Sequence, residues 1–97
     1  MTHDTTLFLQ DDVEYRRVSL RVSSEGVRMF AHDMGPKVEA CWGDFDHEFW
    51  VELPTEALAH LAFALLRDKY SNEEDAVGNF LEFCAANGIE HNVHSWA

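Results

Sequence analysis

The stretch from His32 to Glu48 gathers most of the residue types that could do chemistry: His32, His47, Cys41 and the carboxylates Asp33, Glu39, Asp44, Asp46 and Glu48. Imidazole and carboxylate suit a divalent cation, and His32, Asp33, Asp46 and His47 are ligands of the right kind. Their spacing matches no compact zinc motif. The acids at 44, 46 and 48 alternate as in an EF-hand, but Phe49 stands where that loop needs glycine and no glutamate closes it. The expectation is therefore no metal and no cofactor, with a metal-binding protein or small enzyme centred on residues 32–48 as an alternative. Cys41 lies near both histidines in sequence, which makes a nucleophilic thiol conceivable. No Ser-His-acid or Cys-His arrangement follows from the spacing, so no catalytic residue is assigned. His91 and His94 are three apart on an expected strand, where alternation sends them to opposite faces. His60 sits beside the apolar stripe of an expected helix.

The elements that must carry these residues read from the periodicity. Residues 1–12 are polar and expected to be loose, although Leu7-Phe8-Leu9 suits a short edge strand. Val18, Leu20 and Val22 alternate with Arg17, Ser19, Arg21 and Ser23, which is the period of a half-buried strand. Ser23-Ser24-Glu25-Gly26 is a hairpin turn. The next strand has Val27, Met29 and Ala31 inward and Arg28, Phe30 and His32 outward. Asp33-Met34-Gly35-Pro36 breaks it, and a turn-rich connection leads to a third strand. There Phe49, Val51 and Leu53 alternate with Glu48, Trp50 and Glu52.

Pro54-Thr55 opens a helix whose stripe includes Leu58, Leu61 and Leu65. Ser71 and Glu74 have capping-box spacing and open a second helix carrying Val77, Phe80, Leu81 and Cys84. Asn87-Gly88 ends it. Ile89 to Trp96 alternates and is expected to be a last strand. The expected fold is a two-layer α+β domain spanning residues 1–97. It has an antiparallel-rich sheet of about four strands with two helices on one face, in the order β-β-β-α-α-β.

Charge narrows the class of partner. The chain has 97 residues and 18 acidic against 7 basic side chains, a formal net charge of −11. Binding to nucleic acid or to an anionic membrane needs positive surface, so neither is expected. Four of the seven basic residues lie between Arg16 and Arg28, while Glu39–Glu56 holds six acids and no Lys or Arg. The outward face of the sheet then carries Arg17, Arg21, Arg28, Phe30, His32, Glu48, Trp50 and Glu52. The bland expectation for such a face is a lattice of cross-strand ion pairs. Exposed aromatics beside arginine are also what interface hot spots are made of. Two cysteines are too few for a disulfide framework, no signal peptide is apparent, and no apolar run approaches the ~20 residues of a membrane span. The expected setting is cytoplasmic.

The segments Asp33-Met34-Gly35-Pro36-Lys37-Val38-Glu39, Trp42-Gly43-Asp44-Phe45-Asp46-His47-Glu48-Phe49-Trp50-Val51 and Asn87-Gly88-Ile89-Glu90 through Ser95-Trp96 resemble those of a group of small uncharacterised bacterial proteins. That resemblance covers most of residues 26–96 and implies a shared fold, with no activity attached. In size and acidity the chain is also similar to immunity proteins and other small inhibitors.

These observations point to a non-catalytic acidic interaction protein, of the inhibitor or immunity kind, that binds a basic protein partner. Its expected contact residues are Asp33, Glu39, Trp42, Asp44, Asp46 and Trp50. Complementary charge in such a pair speeds association and selects the partner. An alternative is a nucleic-acid-mimicking inhibitor. A homodimer through Arg17, Arg21, Arg28, Phe30 and Trp50 is a further possibility for the outward face.

Overall fold

The computed structural model describes residues 1–43 and 46–96 and shows an α+β chain with one four-stranded antiparallel sheet and three helices. The strands are β1 (His3–Asp11), β2 (Tyr15–Ser23), β3 (Gly26–Met34) and β4 (Asp46–Leu53). They lie side by side in chain order, so β1 and β4 are the two edges. Helix α1 (Pro36–Trp42) interrupts the meander between β3 and β4. A 3-10 turn (Thr55–Ala57) then leads into α2 (Leu58–Tyr70), and α3 (Ala76–Ala86) follows. The chain divides into two compact units, residues 1–62 and 63–97. No helix among the described residues is long and apolar enough to cross a membrane.

In the first unit the register confirms the alternation read from the sequence. Val18, Leu20 and Val22 pair with Ala31, Met29 and Val27, which pair in turn with Phe49, Val51 and Leu53. These residues share one apolar face. Opposite it, Arg17, Ser19 and Arg21 pair with His32, Phe30 and Arg28, and these pair with Glu48, Trp50 and Glu52. The hairpin between β2 and β3 closes at Gly26, whose φ of +122° is available to glycine. A Cβ there would strike the carbonyl oxygen of Leu53.

Several sequence expectations are corrected. Residues 3–11, expected to be loose, form β1 and pair with residues 15–22 of β2. A register shift between Thr6 and Phe8 leaves Leu7 as an extra residue. Such a bulge breaks the period of two and hides the strand from a pattern search. The connection after β3 is a helix. Pro36 opens α1 at a position where a missing N–H costs nothing. The carboxylate of Glu14, from the β1–β2 turn, accepts the Lys37 backbone N–H at 3.1 Å. That cap comes from 23 residues away, so no local sequence signal announces it. Ile89–Trp96, expected to be a strand, has no ladder partner among the described residues. Alternation alone does not make a strand without an edge to pair with. The order is thus three strands, a helix, a strand and two helices, with three helices in place of two.

In the second unit, α3 begins at Ala76 with Asp75 as its N-cap, and the expected Ser71–Glu74 capping box does not form. Ser71 instead donates its hydroxyl to the Arg67 carbonyl at the end of α2, and Glu73 accepts from the Asn79 side-chain amide. The far end of α3 closes as the sequence indicates. The Ile89 N–H donates to Cys84 O at 2.9 Å and the Gly88 N–H to Ala85 O at 3.3 Å, with Gly88 at φ +64°. These two bonds make a Schellman closure. Cys84 is buried, at 4% exposure.

Candidate functional site on the outward face of the sheet

The arginine-bearing face, expected from the sequence to be outward, is built in rows that cross the four strands, and Phe49 and Val51 on the opposite face are exposed as well, at 62% and 53%. At one end the row runs Asp4, Arg21, Arg28, Glu52. Next comes Thr6, Ser19, Phe30, Trp50, then Leu9, Arg17, His32, Glu48, and finally Asp11, Tyr15, Met34, Asp46. Carboxylates occupy the two edge strands, and the three arginines lie on the inner strands between them. Along β4, residues 46, 48, 50 and 52 project on this one side, so the edge presents Asp, Glu, Trp and Glu in a stripe.

The middle of the face is aromatic and cationic. Phe30 and Trp50 stack with centroids 5.6 Å apart at an interplanar angle of 27°. The Arg28 guanidinium lies 5.1 Å from the Phe30 centroid and 5.5 Å from that of Trp50. The Trp50 indole N–H donates to Glu52 at 3.1 Å. The expected lattice of Arg–Glu ion pairs is not formed among the described residues: Arg28 and Glu52 are direct cross-strand partners, yet no ion pair joins them. The guanidinium, a weakly hydrated plane, stacks on the rings instead. Arg17 donates to the Thr6 hydroxyl at 3.2 Å, away from Glu48.

The expected contact residues divide between the two faces. Asp46 and Trp50 are on the outward face. Asp33 is on the other, opposite His47, and pairs with Arg16 at 3.4 Å. Trp42, at the end of α1, stacks on the His47 ring with centroids 4.4 Å apart at 8°. Glu39 lies in α1, and Asp44 lies outside the described residues. The same alternation splits the four candidate ligands, with His32 and Asp46 on one side and Asp33 and His47 on the other. Cys41 is an exposed free thiol on α1.

Sequence spacing missed one constellation. His32, Asp46 and Glu48 bring a ring nitrogen and two carboxylate oxygens within 4.8 Å of one another. His32 and Asp46 are in direct hydrogen-bond contact. The signal was present in the i, i+2 pair of acids on β4, but the position of His32 depends on the β3–β4 register. The second unit separately carries an apolar groove of about 380 Å³, lined mainly by Phe63, Leu66, Tyr70, Val77 and Phe80.

Compared with known protein families, with curated proteins and with solved structures, the chain matches none.

Proposed function

We propose that the chain is a non-catalytic interaction protein, of the inhibitor or immunity kind, whose outward sheet face takes a basic segment of a partner protein. The observation that supports this reading best is the β4 stripe of Asp46, Glu48, Trp50 and Glu52 on an edge strand. An extended segment added to that edge would project alternate residues over the carboxylates and the indole. Lysine or arginine at those positions meets opposite charge, and one of them meets the face of Trp50. On the other side of β4, Phe49, Val51 and Leu53 favour apolar residues in the same segment. A second β4 in that place would set acids against acids, which disfavours self-pairing at this edge. A duplex mimic is less well supported, because Arg17, Arg21 and Arg28 interrupt the carboxylates of the two edges. The outward aromatics also suit a second copy of the chain, and light scattering separates a dimer from a monomer.

The test is fluorescence anisotropy with a labelled synthetic peptide alternating lysine with valine. Saturable binding that weakens with added salt is expected, with loss in Trp50→Ala and in the Glu48→Gln, Glu52→Gln double variant. Replacement of Glu73 and Glu74 serves as the control for non-specific attraction and should change little. Binding indifferent to Trp50 and to the β4 acids would sink the proposal.

A further inference from the structure

We infer that His32, Asp46 and Glu48 form a binding site for one divalent transition-metal cation, of which Zn²⁺ is the best match. The site is a product of register. Asp46 and Glu48 are two residues apart on β4, so their side chains leave the same face about 7 Å apart along the strand. His32 is the direct cross-strand partner of Glu48, and it also contacts Asp46. One ring nitrogen and two carboxylate oxygens thus converge within 4.8 Å. This donor set suits Zn²⁺, and three protein ligands leave a position for water.

Two further observations favour a cation over a simple ion pair. The first is charge. The natural neutralising group is Arg17, which neighbours His32 in the same row, but its guanidinium is turned to Thr6. Among the described residues Glu48 has no ion pair, so one imidazole faces two carboxylates. The second is orientation. The His32 ring is held between Tyr15, edge-on at 5.9 Å, and Phe30, tilted at 6.5 Å. Its side chain is 27% exposed, against 53% for Asp46. A ring fixed on two sides loses less freedom on binding, and the open carboxylates can adjust to it. The cation replaces the hydrogen between His32 Nε2 and Asp46. That hydrogen moves to Nδ1 or, from an imidazolium, to solvent.

The experiment uses the full chain with Zn²⁺ alone in a non-chelating buffer at pH 7.5. His91, His94 and Cys41 could bind zinc elsewhere, so location must be read as well as affinity. Calorimetry gives the affinity, and imidazole-detected NMR reports which histidine responds. The expected result is a saturable event that shifts the His32 ring resonances. It should weaken by at least about tenfold in His32→Ala and in Glu48→Gln, since even the outer partners of metal ligands are worth that much. Glu52→Gln, on the same strand face, should bind as the parent chain does. Glu48→Gln is an exposed, nearly isosteric change, which keeps the test independent of folding. His32 resonances unmoved at tenfold excess zinc, or binding equal in the parent and Glu48→Gln, would overturn the inference. No peptide or partner is present, so failure here leaves the basic-segment proposal standing.

Discussion

The Arg28 guanidinium lies 5.5 Å from the Trp50 ring centroid, while Glu52, the residue directly across from Arg28, accepts the indole N–H. The choice of ring over carboxylate sets the character of the outward face. A row that ion pairs would have neutralised keeps Glu52 unpaired with Arg28 and gains a stacked aromatic-guanidinium centre. A double-mutant cycle measures this. Arg28→Ala with Trp50→Ala should show a coupling of about 0.5–1 kcal/mol in urea denaturation, as for an exposed cation–π contact. Arg28→Ala with Glu52→Ala should couple much more weakly. The opposite ranking would mean that the ion pair forms in solution.

Gly26 and Gly43 should differ in what they tolerate. Both have positive φ, +122° and +73°. A Cβ on Gly26 would strike the Leu53 carbonyl, whereas among the described residues nothing lies within 4 Å of one on Gly43. Gly43→Ala should cost only the left-handed backbone penalty, ~1–2 kcal/mol. Gly26→Ala must also displace the end of β4, and should lower the urea midpoint more or prevent folding. Equal effects would contradict the close approach of β3 and β4 at that turn.

Tyr70 supplies an alkaline signature. Its phenol is held above the ordinary value of 10.0, first by loss of hydration and then by negative charge at Glu73 and Cys84. The Tyr70 hydroxyl is buried with no hydrogen-bond partner among the described residues. A raised value means that the folded chain keeps the proton more tightly than the unfolded one. Its contribution is therefore complete below pH 10 and is lost as pH rises through the folded value. Tyr70→Phe should flatten the fall in urea midpoint between pH 9 and 11. It should cost little at pH 7, because no hydrogen bond is lost. An unchanged alkaline slope would count against the burial.

The two thiols should separate kinetically. Cys41 is exposed on α1 and Cys84 is buried on α3. A thiol reagent such as Ellman's should label one cysteine rapidly in the folded chain and the second only in denaturant. Cys41→Ser should remove the fast phase. Two equally fast thiols would mean that α3 opens readily.

Much of the sheet is legible in the sequence. Arg17, Arg21, Arg28, Phe30, His32, Glu48, Trp50 and Glu52 share one face as their spacing predicts, because a strand has a period of two whatever it packs against. The end of α3 is likewise local, since Asn87-Gly88 needs only its own backbone to close the helix. What was hidden depends on partners. The extra residue at Leu7 conceals β1, the cap on α1 comes from Glu14, and Ile89–Trp96 alternates without an edge to join.

The sequence by itself determined the acidity, the faces of β2, β3 and β4 and the separation of basic from acidic segments, all of which follow from composition and short-range period. Only the tertiary structure decided that Glu48 stands beside His32 and that Arg28 turns to Trp50. Those are matters of register between strands, with His32 and Glu48 16 positions apart and Arg28 and Trp50 22 apart, where backbone hydrogen bonds and rival side-chain contacts choose among partners that spacing leaves equal.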